Sequence, residues 1–191
     1  MAQAANRDRQ SSMIPRVLIA GIGNILLQDD GLGPQAVARL QSEYEFGDEV
    51  EVLDIGTPTL DFVDYLRERD VLVLIDALSG GGEPGEILTF DKERLKDFLP
   101  NMRLSAHQPC LNETLHAAEI SGIDLKEVLL VGVVGHSFDV GTDLGPYVSK
   151  VMPEVLELVA EFVRRHGVKA ERRAVPLPTR GWWEAESPVK A

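Results

Sequence analysis

Val17-Leu18-Ile19-Ala20-Gly21-Ile22-Gly23-Asn24-Ile25-Leu26-Leu27-Gln28-Asp29-Asp30-Gly31-Leu32-Gly33 decides how this chain is to be read. Four apolar residues lead into a glycine-rich turn, and a helical pattern follows. Strand, Gly-x-Gly and helix in that order suggest a loop that cradles phosphate. The adjacent carboxylates Asp29 and Asp30 contradict that, because they stand where the anion would lie. A helix N-terminus that presents two acids repels anions and suits a cation. The third glycine of Gly-x-Gly-x-x-Gly is also missing, since its position is Leu26. A dinucleotide site, with Asp54 on the ribose, is therefore disfavoured.

Outward from this stretch, strands and helices alternate. Glu49–Asp54 reads as a strand closed by Gly56-Thr57-Pro58, and Leu60–Arg67 as a helix. Val71–Ile75 is an apolar strand, Glu86–Phe90 an edge strand, and Asp91–Leu99 a short helix stopped by Pro100. Helices are expected at Leu32–Tyr44, Gln108–Ser121 and Pro153–His166, with the strand Glu127–Val134 between the last two. This alternation implies a single three-layer α/β/α domain. Its twisted, mostly parallel sheet of about five strands carries helices on both faces. Residues 1–14 read as a disordered polar lead, 15–168 as the domain, and 169–191 as a tail, either disordered or docked, with Trp182 and Trp183 in it.

Bulk composition narrows the classes. The 191 residues suit one domain, and a net charge of −12 argues against nucleic acid or an anionic membrane as partner. The one cysteine, Cys110, excludes an internal disulfide and fits a reducing cytoplasm. No apolar run approaches the length of a transmembrane helix, and the first residues lack the apolar core of a signal peptide.

In a parallel sheet the chemistry gathers at the carboxyl ends of the strands. Asp29 and Asp30 follow the first strand, Asp54 ends the second, and Asp76 follows Val71–Ile75. His107 stands before the helix that begins near Gln108, and His136 follows the last strand. Asp30, Asp76 and His107 can converge there, offering two carboxylates and an imidazole to a divalent transition metal. Each has a plain structural reading too. Asp29 or Asp30 can cap a helix, Asp76 can bond nearby backbone N–H groups, and His116 and His166 fall on helices. Cys110 suits a small buried position better than a nucleophile, because no base or orienting partner is specified for it.

These residues resemble the maturation endopeptidases of [NiFe] hydrogenases. Residues 21–33 are similar to that family's G-x-G-N-x-L-x-x-D-[DE]-x-x-G. Asp76 in Leu74-Ile75-Asp76-Ala77 and His107 in Ser105-Ala106-His107-Gln108 match in the same order and at similar spacing. The resemblance spans about Val17 to Gly167. It implies an endopeptidase that removes the C-terminal extension of a nickel-loaded large-subunit precursor, and from the composition a cytoplasmic protein, expected as a monomer, fits that task. By the same resemblance Asp30, Asp76 and His107 contact nickel supplied by the substrate, and no nucleotide is needed. Asp54, Gly56 and Thr57 resemble a D-G-G-T stretch associated with recognition of the proper hydrogenase, with Ile55 replacing a glycine. Two mechanisms fit. Either the nickel polarises the scissile carbonyl or activates water, or Asp30 and Asp76 act on water as an acid–base pair, since close carboxylates can share a proton. The alternatives in other classes are a non-catalytic nickel-sensing chaperone or partner-binding module, and a hydrolase of small substrates.

Overall fold

The computed structural model describes residues 14–98 and 108–178, together with Gly181 and Trp183. A five-stranded sheet forms the middle layer. Its strands are β1 (Val17–Ile22), β3 (Val50–Gly56), β4 (Val71–Leu78), β5 (Ile87–Asp91) and β6 (Glu127–Val134), in the order β3-β1-β4-β6-β5. Neighbours are parallel except for β5, which runs antiparallel to β6 at the edge. A mostly parallel sheet with helices on both sides is thus what the alternating pattern implied. All eight residues of β4 are buried, as they must be in a central strand covered on both faces.

Residue parity assigns the helices to the two faces. Val17 and Ile19 of β1 and Val73 and Ile75 of β4 pack with α1 (Leu32–Glu43) and α5 (Pro146–Arg165). Leu18 and Ala20, with Leu72, Leu74 and Leu78, pack on the opposite side. There they meet α2 (Phe62–Tyr65), α3 (Lys92–Phe98) and α4 (Gln108–Ile120). Even positions of β4 therefore face the α4 layer.

Three elements differ from the sequence expectation. The helix expected over Leu60–Arg67 shrinks to one turn, α2, with only Phe62 buried within it. The closing helix starts at Pro146, not Pro153. Pro146 occupies the first helical turn, where a missing N–H costs nothing, and Pro153 is carried inside the helix. Its removal of one backbone hydrogen bond is tolerated because Val148, Met152, Val155, Leu156 and Val159 are all buried along the inner face. Asp76 does not follow its strand but lies within it, paired in register with Gly132.

A second ribbon closes the far end of α1. β2 (Tyr44–Phe46) pairs antiparallel with β7 (Ala170–Arg172), and the chain continues along α1 as Leu177 N donates to Ser42 O at 3.0 Å. Residues 170–178 of the tail are thus placed against the domain. Glu43 is buried beside this ribbon. Burial alone would raise its carboxyl, but the guanidinium groups of Arg39 and Arg172 hold it below its usual value. Tyr44, also buried, donates its hydroxyl to Glu157 at 2.8 Å. Burial, reinforced by that acceptor carboxylate, pushes the phenol up to about 12. A folded value above the unfolded one stabilises fully below the unfolded pKa, and the benefit disappears as pH rises through the folded one. The window here runs from about 10 to about 12. A spectrophotometric tyrosinate titration of Tyr44→Phe should lack the step near pH 12 that the unaltered protein shows.

Candidate active site

β1 and β4 are paired as far as Gly21↔Ile75. Beyond that pair Ile22 is in register with β3 alone and the chain then enters the acidic loop, so Asp76 is the first residue of β4 beyond its ladder with β1. The connection from β1 leads to β3 on one side, and β3 leads back to β4 on the other. The carboxyl ends of β1 and β4 are therefore the switch point of this sheet, the crevice where open α/β folds place their ligands. Asp76 is 2% exposed and has the parity of Leu74 and Leu78, so it belongs to the face that α4 covers.

Glycines bring the acidic loop to this point. A Cβ on Gly33 would lie 2.1 Å from Ile22 O and 2.7 Å from Ile75 O, so the start of α1 sits directly against the ends of both strands. Gly23, with φ +136°, has Asp30 O at 1.8 Å from where a Cβ would be. No other residue type fits either position. The loop folds back as a 3₁₀ turn, Gln28–Gly31, and Asp30 becomes 3% exposed. Its Oδ2 accepts the backbone N–H of Asn24 at 2.9 Å. Asp30, in the turn after β1, and Asp76, near the carboxyl end of β4, are thus two buried carboxylates on the same edge of the sheet.

Asp29 has a different occupation. It is completely buried, and its carboxylate accepts backbone N–H groups from His136 (2.8 Å), Ser137 (3.1 Å) and Gly145 (2.7 Å). Gly145 is the N-cap of α5, so Asp29 caps a helix, but not the one it precedes. The N-cap of α1 is Gly31, which has no side chain to offer. Backbone bonds reinforce the join: Asp29 N donates to Ser137 O, Gln28 N to Gly141 O, and Gly141 N to Leu26 O. Gln28 pays for this with a left-handed φ of +42°. Sequence alone offers Asp29 as one of two possible local caps, whereas this bond spans more than 100 residues. Gly145-Pro146, a favourable opening for a helix, was the signal that another N-terminus needed an acid.

The remaining sequence candidates fall as follows. Asp54 is exposed at the end of β3, and its Oδ1 accepts the N–H of Gly56 at 2.9 Å. Register moves from Gly21↔Asp54 to Ile22↔Gly56, so Ile55 is an inserted bulge residue, and Gly23 N donates to Gly56 O at 3.0 Å. This places Asp54, Gly56 and Thr57 beside the acidic loop, on the same rim. His136 is exposed, with its ring edge-on to Tyr147 and its backbone, not its imidazole, tied to Asp29. His116 is exposed on α4, and His166 lies near Phe162 O and Glu127 at the other end of the sheet. His107, one position before α4, and the Cys110 side chain fall outside the described structure. Among the described residues no three metal-ligating side chains form a cluster. Nor does any helix among them have the length and apolarity to cross a membrane.

A family model for the HycI hydrogenase maturation proteases matches residues 34–162. The chain belongs to that family. Maturation proteases of this kind are peptide hydrolases, and the relatives agree. The chain is 35% identical over 160 residues to the hydrogenase expression/formation protein HupD of Thiocapsa roseopersicina, covering 83% of this chain and 72% of that one. It is 34% identical over 156 residues to the hydrogenase 2 maturation protease of Escherichia coli K12, covering 81% and 94%. The solved structure of the E. coli hydrogenase maturating endopeptidase HybD superposes with a TM-score of 0.78 at 34% identity, covering 83% of this chain and 98% of that one. This maturation protease is therefore similar in fold and sequence to nearly the entire length of an endopeptidase.

Proposed function

We propose that this maturation protease removes a C-terminal extension from a [NiFe] hydrogenase large-subunit precursor that already carries nickel. The observation that supports the reading best is the pair of buried carboxylates, Asp30 and Asp76, at the switch point between β1 and β4. Asp30, Asp76 and His107 supply two oxygens and an imidazole nitrogen, a donor set that suits a borderline divalent ion such as nickel. The metal belongs to the substrate. Three protein donors would read its presence while leaving positions for the precursor's own ligands.

In the cleavage step one of the two carboxylates takes a proton from water as its oxygen attacks the scissile carbonyl. The C–N bond then breaks, and that proton is delivered to the departing amine. Burial keeps both acids within a site from which bulk water is largely excluded, and the glycine contacts hold the Asp30 loop against the strand ends. Asp54, Gly56 and Thr57, beside that loop, are assigned to recognition of the precursor. A nickel-sensing role without cleavage is less well supported, because the relatives are named as proteases.

Incubation with a nickel-loaded precursor, followed by mass spectrometry, should show a large subunit shortened by one C-terminal peptide. The nickel-free precursor should remain intact. A nickel-loaded precursor of unchanged mass would overturn the reading, and equal trimming of the nickel-free form would remove the metal from it.

A further inference from the structure

The segments that run out from the carboxyl ends of the strands share one sign of charge. Residues 21–38, 54–66, 76–91 and 132–149 contain no Lys or Arg. Basic residues resume only at Arg39, Arg67, Lys92 and Lys150, within α1, after α2, after the returning strand β5, and within α5. Exposed acids remain on these segments, among them Asp54, Asp61, Asp139 and Asp143. Large apolar side chains also stand in solvent on these segments, and two of them, Leu26 and Val140, lie side by side. Leu26 is 51% exposed and Val140 is 88% exposed. They are neighbours by construction, because Gly141 N donates to Leu26 O at 2.9 Å and Gln28 N to Gly141 O at 2.7 Å. The same join carries the partly buried hydrogen bonds of Asp29, so the two loop tips are held in place. The apolar pair is fixed by backbone bonds and flanked by carboxylates, in segments that contain no Lys or Arg, which is chemistry suited to a docking surface.

We propose that the joined loops 24–28 and 137–143 are the docking surface for the precursor. They would receive a segment in which an apolar side chain is accompanied by Lys or Arg. Charge complementarity selects that chemistry, since a cationic segment meets carboxylates and no Lys or Arg in the described loops 21–38, 54–66 and 132–149. The proposal rests on the proteolytic reading above, because it names what that site holds outside the reacting bond.

The test uses the full-length protein and the nickel-loaded precursor. The double variant Leu26→Ser, Val140→Ser should raise KM about tenfold and leave kcat within about twofold, as expected for an apolar anchor that binds ground and transition states alike. Asp139→Asn with Asp143→Asn should raise KM about threefold and flatten its dependence on salt between about 50 and about 500 mM. Circular dichroism checks that each variant is folded, and Val140→Ser alone, at the more exposed site, serves if the double variant is not. Normal cleavage with KM unchanged in both variants overturns the docking surface and leaves the proteolytic reading intact. A KM that does not rise with salt in the unaltered protein overturns the basic partner. Failure of the unaltered protein to shorten the precursor overturns both.

Discussion

Asp76→Asn should abolish cleavage while the protein keeps its fold. The amide matches the carboxylate in shape, so the packing of β4 between β1 and β6 is preserved. It cannot take a proton from water, and it is a far poorer ligand for a divalent cation. Loss of a general base costs about 10² to 10⁴ in rate, and loss of a metal contact adds to that. The expected result is a fall of at least about 10³-fold in the rate of precursor shortening. The melting temperature should stay within about 4 °C, the shift that about 1 kcal/mol produces in a domain of this size. Rate and melting temperature must be measured on the same preparation. A variant that is folded and still cleaves at more than about a tenth of the normal rate would remove Asp76 from the chemistry.

This prediction depends on a position that the sequence placed almost correctly. The central strands are apolar runs with an acid at or near the end, and such runs are legible because a strand covered on both faces has no polar alternation to preserve. What the sequence could not give was register. Asp76 is in the crevice because β1 stops pairing at Ile75 while β4 continues to Leu78 against β6. Both facts depend on long-range pairing that no local pattern encodes. The glycines were legible as a turn, but not as contacts. Gly33 is needed because of Ile22 and Ile75, which come from two different strands. Helix boundaries are ambiguous in sequence where proline has two meanings. Pro153 looked like a beginning, whereas Pro146 seven residues earlier is one. The ribbon of β2 and β7 joins residues more than 120 positions apart, and three-residue strands carry too little periodicity to announce themselves.

Asp29→Ala should be among the most destabilising single changes in the chain, although Asp29 is assigned no part in the chemistry. Its carboxylate is the acceptor for three backbone N–H groups, and one of these opens α5. Removing the acceptor strands donors at a cost of about 1–3 kcal/mol each where water cannot replace it. The favourable placement of a negative charge at a helix N-terminus is lost as well, worth about 0.3–1 kcal/mol. Part of this is recovered, because the donors are only partly buried and water can enter the space left behind. A net loss of about 3–5 kcal/mol is expected, lowering the melting temperature by roughly 6–20 °C in a domain of this size. Asp29→Asn should fall between the two, since its one carbonyl oxygen can serve some of the donors while its NH₂ group confronts the others. The ordering Asp, Asn, Ala in denaturant midpoint checks the argument. An alanine variant that loses less than about 1 kcal/mol would show that the loops around residues 28 and 141 are held by their backbone bonds alone. If the loss is as large as expected, Asp29 and Asp30 divide the acidic pair between them. One fastens the loop to the last helix, and the other is thereby held at the end of β1, where Asp76 of the next strand is within the same crevice.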